Sequence, residues 1–134
     1  MNLVIDGNLL ERIVSHARSA SPMEGCGLLA GSGNSASRFI PVTNRLGSAS
    51  AYDMEPSELI EALRSIRESG ERLVAIYHSH PKGPASPSPL DIQKAYYPDA
   101  VYVVVSLATP ESPAVRGFRI VDGEVTEIEL HVIV

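Results

Sequence analysis

Four side chains within fifteen residues carry the chemistry of this sequence. They are His78, His80, Ser88 and Asp91, in the stretch Tyr77-His-Ser-His-Pro-Lys-Gly-Pro-Ala-Ser-Pro-Ser-Pro-Leu-Asp91. The apolar run Leu73–Tyr77 just before them is short and β-branched enough to be a buried strand. On a strand, His78 and His80 project from one face with Cα atoms roughly 6.7 Å apart, close enough for two imidazoles to converge on one ion. Pro81 ends the ladder, and a Pro/Gly/Ser-rich loop leads to Ser88-Pro89-Leu90-Asp91. There Ser88 reads as an N-cap and Pro89 as the first helical residue. Asp91 then falls in the first turn, favoured by the helix dipole. Two neutral imidazoles and a carboxylate suit zinc, and three protein ligands leave a fourth tetrahedral position for water, as a catalytic site requires. Singly, each feature has a plainer reading: His-x-His is a weak signal, and a Ser three residues before an Asp is an ordinary cap. Their combination at a strand end and a helix start points to a metal site.

The elements that position these residues come from a chain of 134 residues, enough for one domain (1–134) with one core. Hydrophobic residues make up 44% and charged residues 20%, ordinary for a soluble globular protein. A formal net charge of -5, with no basic run or aromatic-interleaved basic patch, argues against nucleic acid or an anionic membrane surface as partner. No stretch has the apolar length of a membrane span, and the amino terminus lacks a signal-peptide pattern. Cys26 is the single cysteine, so no intrachain disulfide forms, and the chain reads as cytoplasmic.

Residues 3–5 are a short apolar start ending in Asp6-Gly7, and Leu9, Leu10, Ile13, Val14 and Ala17 have helical spacing, leaving Arg12, His16 and Arg18 for an outer, surface face. A strand follows within 24–31, closing at a Gly/Ser/Asn turn over Gly31 to Ser35. Glu24, at its mouth, is either exposed at the helix-to-strand turn or partnered, since a lone buried carboxylate is costly. Cys26 shares a face with Glu24 if this segment is extended; it reads as a small buried hydrophobe, with a fourth metal ligand as the alternative. A strand over Arg38–Thr43 and a polar loop over 44–50 precede a second helix with Leu59, Ile60, Leu63 and Ile66 as its apolar positions and Gly70 as its cap. Beyond the metal loop, a short helix runs from Pro89 to about Tyr96. Val101–Leu107 is the most hydrophobic strand, and Asp122-Gly123 joins Val115–Val121 to Val125–Val134 as a hairpin in which His131 is structural or exposed. The order implies a mixed α/β domain: one curved, largely antiparallel sheet with a helix on each side.

Glu24 together with the metal loop resembles the JAMM, or MPN-plus (Mov34-type), metalloproteases, whose pattern is Glu…His-x-His, seven residues, Ser-x-x-Asp. The sequence fits it with Glu24, His78, His80, the seven residues Pro81 to Pro87, Ser88 and Asp91. Pro22-Met-Glu-Gly-Cys-Gly-Leu-Leu29, Pro41-Val-Thr-Asn44 and Tyr52 to Pro56 are similar to the surroundings in compact bacterial members. The resemblance implies a cytidine-deaminase-like α/β fold, although the deaminase Pro-Cys-x-x-Cys is absent and base deamination is not supported. It further implies hydrolysis of a peptide or isopeptide bond after the terminal Gly-Gly of a ubiquitin-like protein. His78, His80 and Asp91 would hold one zinc per chain with water as the fourth ligand, Glu24 would be the general base, and Ser88 would donate to the oxyanion. On this reading the Ser88 hydroxyl serves either as cap or as catalytic donor. The loops at 44–52 and 92–100 lack the insertions of linkage-specific deubiquitinating members. The implied partner is therefore a ubiquitin-like sulfur-carrier protein, whose extended tail could add as a strand beside the sheet. A non-catalytic MPN-type scaffold and a general small-peptide metallopeptidase are the alternatives.

Overall fold

A computed structural model describes residues 2–134. In chain order it forms β1 (Asn2–Asp6), α1 (Gly7–Ala20), β2 (Cys26–Ser32), β3 (Ser35–Val42), α2 (Pro56–Glu68), β4 (Arg72–His80), α3 (Pro89–Gln93), β5 (Val101–Ser106), β6 (Ala114–Val121) and β7 (Glu124–Ile133). Asp6 starts α1 by accepting the Asn8 N–H at 2.8 Å. The helix buries Leu9, Ile13 and Ala17. His16 does not lie on the outer face, contrary to the sequence expectation. It stands three residues after Ile13, one turn along the same side, so it is half-buried and its Nδ1 is 3.1 Å from the Tyr77 hydroxyl.

Helix α2 begins with Pro56 after the Glu55 cap and stops before Gly70, whose φ of +78° a side chain would resist. Its inward positions are Leu59, Ala62, Leu63 and Ile66; Ile60, counted as apolar face from sequence, points into solvent. Helix α3 ends at Gln93, short of Tyr96, and the chain turns so that Tyr97 N–H donates to the Tyr102 hydroxyl. Asp122 and Gly123 both adopt positive φ (51° and 80°), as a two-residue hairpin of matching twist requires.

The strands close into a ring in the order β1-β3-β2-β4-β5-β6-β7, with β7 returning to β1. The pairs β2–β3, β2–β4, β5–β6 and β6–β7 are antiparallel, whereas β1–β3, β1–β7 and β4–β5 are parallel. The mixed, curved sheet with a helix against each face is as the sequence implies, with its curvature carried through to closure. Each strand thus has a neighbour on both sides over part of its length, and a partner peptide finds no wholly unpaired strand to extend. One core packs α1 against Leu29, Tyr77, Val103 and Val105; the other packs α2 against Cys26, Leu28, Ile76, Tyr102 and Val104. All six residues of β5 are buried, which is why its sequence shows no alternation.

Two features of this ring matter for function. The parallel partners β4 and β5 need a crossover to join them, and the chain over 81–100 with α3 is that crossover, leaving from the carboxyl end of β4. The side chains of Ile76, His78 and His80 share the α2 face, and Tyr77 and Ser79 the α1 face. Among the described residues, no helix is long and apolar enough to cross a membrane.

The β2–β3 turn supplies a test of this packing. A Cβ on Gly31 would lie 1.8 Å from the Ser35 carbonyl oxygen, whereas one on Gly33 (φ +58°) meets nothing within 4 Å. Gly31→Ala should cost about 3 kcal/mol or more, because backbone must move, and Gly33→Ala about 1 kcal/mol from conformation alone. Urea unfolding of the two variants measures the difference.

Candidate metal centre and catalytic cleft

The register of β2 on β4 sets Cys26 opposite His78, and continuing it by two residues brings Glu24 across from His80. Gly25 clamps the junction: its N–H donates to Ser79 Oγ at 2.8 Å, and its carbonyl accepts the Ser79 N–H at 3.0 Å. Only glycine fits there, since a Cβ would stand 2.8 Å from the Tyr77 hydroxyl. Both backbone groups of Glu24 are tied to the following loop. Its N–H donates to the Ser48 carbonyl at 2.8 Å, and its carbonyl accepts from Asn44 Nδ2 at 3.1 Å. Asn44 also donates to the Ala51 carbonyl and accepts from Leu46 and Asp53 N–H, so one side chain shapes the loop that holds Glu24.

Three ligand atoms converge at the end of β4. His78 Nε2 and His80 Nε2 are 3.1 Å apart, and Asp91 Oδ2 lies 3.0 Å from the first and 3.1 Å from the second. The edges of a tetrahedron around zinc, with bonds of about 2.0–2.1 Å, are roughly 3.3 Å, so the triangle is within a few tenths of an ångström of a zinc-ligand face. His80 Nδ1 is 2.8 Å from the Pro84 carbonyl, which only an N–H can approach favourably. In the neutral ring Nε2 is then left with its lone pair turned to the cluster. That lone pair and the Asp91 carboxylate oxygen at this spacing repel one another unless a cation, a proton or a metal ion, stands between them. The donor set suits zinc.

Ser88 and Asp91 form a capping box. Ser88 N–H donates to Asp91 Oδ2 at 2.8 Å, and Ser88 Oγ accepts the Asp91 N–H at 3.1 Å. The sequence reading made cap and catalytic donor exclusive uses of this hydroxyl. The geometry removes the conflict, because capping occupies a lone pair and leaves the hydroxyl hydrogen free to donate. Burial works against ionising Asp91, but hydrogen bonds from His78 and His80 and the Ser88 N–H outweigh it and hold the carboxyl far below the ordinary range. Burial keeps His78 neutral despite Asp91. For His80 burial acts in the same direction, but its bonds to Asp91 and the Pro84 carbonyl prevail and raise it.

Glu24 is buried, resolving the open question of its exposure, and its Oε1 has no hydrogen-bond partner among the described residues. Its carboxylate and the ligand nitrogens of His78 and His80 all lie within 4.8 Å of one another. Burial pushes its pKa up to about 7, with His80 opposing and Asp91 adding to the rise. The four residues singled out in the sequence thus meet with Glu24 in one cleft. Cys26 does not join the cluster: its thiol points to the Val42 carbonyl at 3.3 Å within the α2-side core. His131 is exposed beside Glu129 on β7, apart from the site.

Tyr52, Asn44 and Ser79 are functional supports that the residue-by-residue reading passed over. Tyr52 stacks on His78 with ring centroids 4.7 Å apart and planes at 22°, fixing the ring. The Tyr52–Pro56 and Pro41–Asn44 segments were legible only as stretches like those of a known family, and nothing local marks Ser79, whose task exists only once β2 lies alongside.

Comparison with known proteins follows this geometry. A family model described as prokaryotic homologues of the JAB domain matches residues 7–121. A Mycobacterium tuberculosis protein named CysO-cysteine peptidase is 41% identical over 133 residues, covering 98% of this chain and 91% of its own. A Thermus thermophilus protein named as a probable TtuB-protein conjugate cleaving protease is 39% identical over 123 residues, covering 91% and 78%. The solution structure of a Desulfitobacterium hafniense protein superposes with a TM-score of 0.89 at 34% identity, covering 99% of this chain and 93% of that one.

The cysteine offers a direct check on burial next to the site. Cys26 has no exposed surface, and burial, with Glu24 adding to it, pushes its thiol up to about 12. Iodoacetamide at pH 8 should leave the folded protein unmodified over hours and label it fully in denaturant, as read by mass spectrometry.

Proposed function

The chain belongs to the family of prokaryotic homologues of the JAB domain, and on that premise we propose that it is a zinc-dependent JAMM-type peptidase cleaving the peptide or isopeptide bond after the C-terminal Gly-Gly of a ubiquitin-like, sulfur-carrier-type protein. The observation that carries the reading is the buried Glu24 carboxylate beside the His78, His80 and Asp91 ligand triangle. The names of two relatives, one a peptidase for a cysteine adduct and one a protease for protein conjugates, support the substrate class. Residues 1–134 act as one catalytic domain, working in the cytoplasm, where a single unpaired cysteine meets no oxidant.

In this mechanism His78, His80 and Asp91 would hold one zinc per chain. Bound there, with water in its remaining position, zinc would polarise the scissile carbonyl and bring the pKa of water to about 7. Glu24 takes a proton from the attacking water on its carboxylate and passes it to the leaving amine. Its raised proton affinity suits the second transfer, and a cation held by the neighbouring ligands would lower that affinity for the first. Ser88 Oγ–H donates to the tetrahedral oxyanion, a contribution of about 3 kcal/mol in comparable sites. Tyr52 and the Pro84 carbonyl hold the two imidazoles in their ligating orientation.

Glu24→Gln should retain zinc and fold while losing turnover of a carrier–Gly-Gly adduct by on the order of 100-fold or more. Undiminished turnover in that variant would assign the base elsewhere. Metal analysis of the wild-type chain should return about one zinc, and His78→Ala should return none. Chelation should abolish activity with the circular dichroism spectrum unchanged, since neither core cluster includes a ligand side chain; unfolding on chelation would make the zinc structural.

A further inference from the structure

The sequence contains two lysines, Lys82 and Lys94, and each lines one of two cavities that flank the ligand triangle. The cavities share no lining residue. The smaller, about 140 Å³, is walled by aromatic and aliphatic side chains such as Tyr52, Met54 and Tyr97, and it reaches the triangle through Asp91. The larger, about 520 Å³, contains Glu24, His80 and Ser88, and is in the size range of small-molecule sites. If Glu24 returns a proton to the leaving amine, that amine departs into the cavity that Glu24 lines. The larger cavity is therefore the leaving-group side.

The floor of that cavity is stiff. Pro22, Pro81, Pro84, Pro87 and Pro89 line it, and the loop carrying Lys82 is pinned just after the lysine. His80 Nδ1 holds the Pro84 carbonyl at 2.8 Å, and Ser106 Oγ donates to the Gly83 carbonyl at 2.6 Å. Lys82 is the single Lys or Arg lining it, and no carboxylate pairs with it among the described residues. Arg38, Arg45, Arg64 and Arg116 are each paired with a glutamate or aspartate in a chain whose net charge is -5, and Lys82, exposed on its loop at the cavity wall, has no such partner among the described residues. An unpaired ammonium beside a cleft that already contains Glu24 attracts an anion brought by the substrate.

We propose that Lys82 selects the leaving group by binding its free α-carboxylate, so that the preferred substrate is a carrier whose Gly-Gly is joined to a single amino acid rather than to a protein side chain. The inference rests on the carrier-peptidase reading above. In the step it serves, water's oxygen bonds to the glycine carbonyl carbon, the C–N bond breaks, and a proton moves by way of Glu24 to the amine. The released amino acid keeps the carboxylate that Lys82 held throughout.

The test uses the zinc-loaded full chain and a ubiquitin-like carrier ending in Gly-Gly, extended by one alanine as the free acid or as the C-terminal amide. The acid should be cleaved with kcat/KM about tenfold or more above the amide, chiefly through KM, the order expected of one charge-assisted contact. Lys82→Met should lower the acid to the level of the amide while leaving the amide within about twofold, and Lys82→Glu should reverse the preference. Calorimetric binding of both adducts to the Glu24→Gln chain should give the same ratio and lose it when Lys82→Met is added. Equal cleavage of acid and amide by the wild type, or an equal loss on both in Lys82→Met, overturns the assignment to Lys82 and leaves the peptidase intact. Failure to cleave either adduct overturns the carrier-peptidase reading, and this inference with it.

Discussion

The antiparallel alignment of β2 with β4, locked by the paired Gly25–Ser79 hydrogen bonds, is the constraint on which the cleft depends. Strand β4 delivers the two imidazoles on one face, but an imidazole pair alone is a metal perch without a base. Glu24 reaches the imidazoles because β2 begins where β4 ends, so the residue two places ahead of Cys26 faces the residue two places beyond His78. Ser79, turned to the opposite face from its histidine neighbours, is what grips Gly25, and a side chain at Gly25 would collide with Tyr77 and break the grip. The crossover from β4 to its parallel neighbour β5 then brings Asp91 back over the strand end. A site at the carboxyl end of a strand, roofed by the crossover, is a recurrent place for ligands in α/β folds.

The electrostatics of the cleft are those of a cluster assembled to receive a cation. Asp91 is kept ionised against burial by hydrogen bonds from His78, His80 and the Ser88 N–H, while burial works against a charge on His78. Glu24 is buried with one oxygen unpartnered, an arrangement that disfavours its own ionisation. Left to itself such a carboxylate costs folding free energy. It is tolerable because the segment around it is over-determined: its backbone is tied to Ser48 and Asn44, and its successor to Ser79. Stability in the two cores on either side of the sheet thus offsets a locally unfavourable carboxylate.

Two cavities flank the ligand triangle of the cleft. Its two sides differ in chemistry, one aromatic and aliphatic, the other proline-walled with a lone lysine. Every strand has a neighbour on both sides over part of its length, but β1 covers β3 only at Ser35 and Ala36, so the rest of that side of β3 lies open as an edge.

How much of this was legible beforehand follows the range of the forces involved. The imidazole pair, the Ser-Pro-x-Asp cap, the helices and the Asp122-Gly123 hairpin depend on neighbours within a few residues, and the sequence alone determined them; it also carried the family pattern that includes Glu24. Misplaced details such as His16, Ile60 and the end of α3 lie where a helix face or terminus is decided by what packs on it, as Tyr77 does on His16. Only the tertiary structure decided that Glu24 is buried, that Tyr52 and Asn44 support the site from a loop, and that the ring closes. Each of these rests on contacts between residues tens of positions apart, whose register is set by the burial of two sheet faces at once and leaves no periodic mark on the chain.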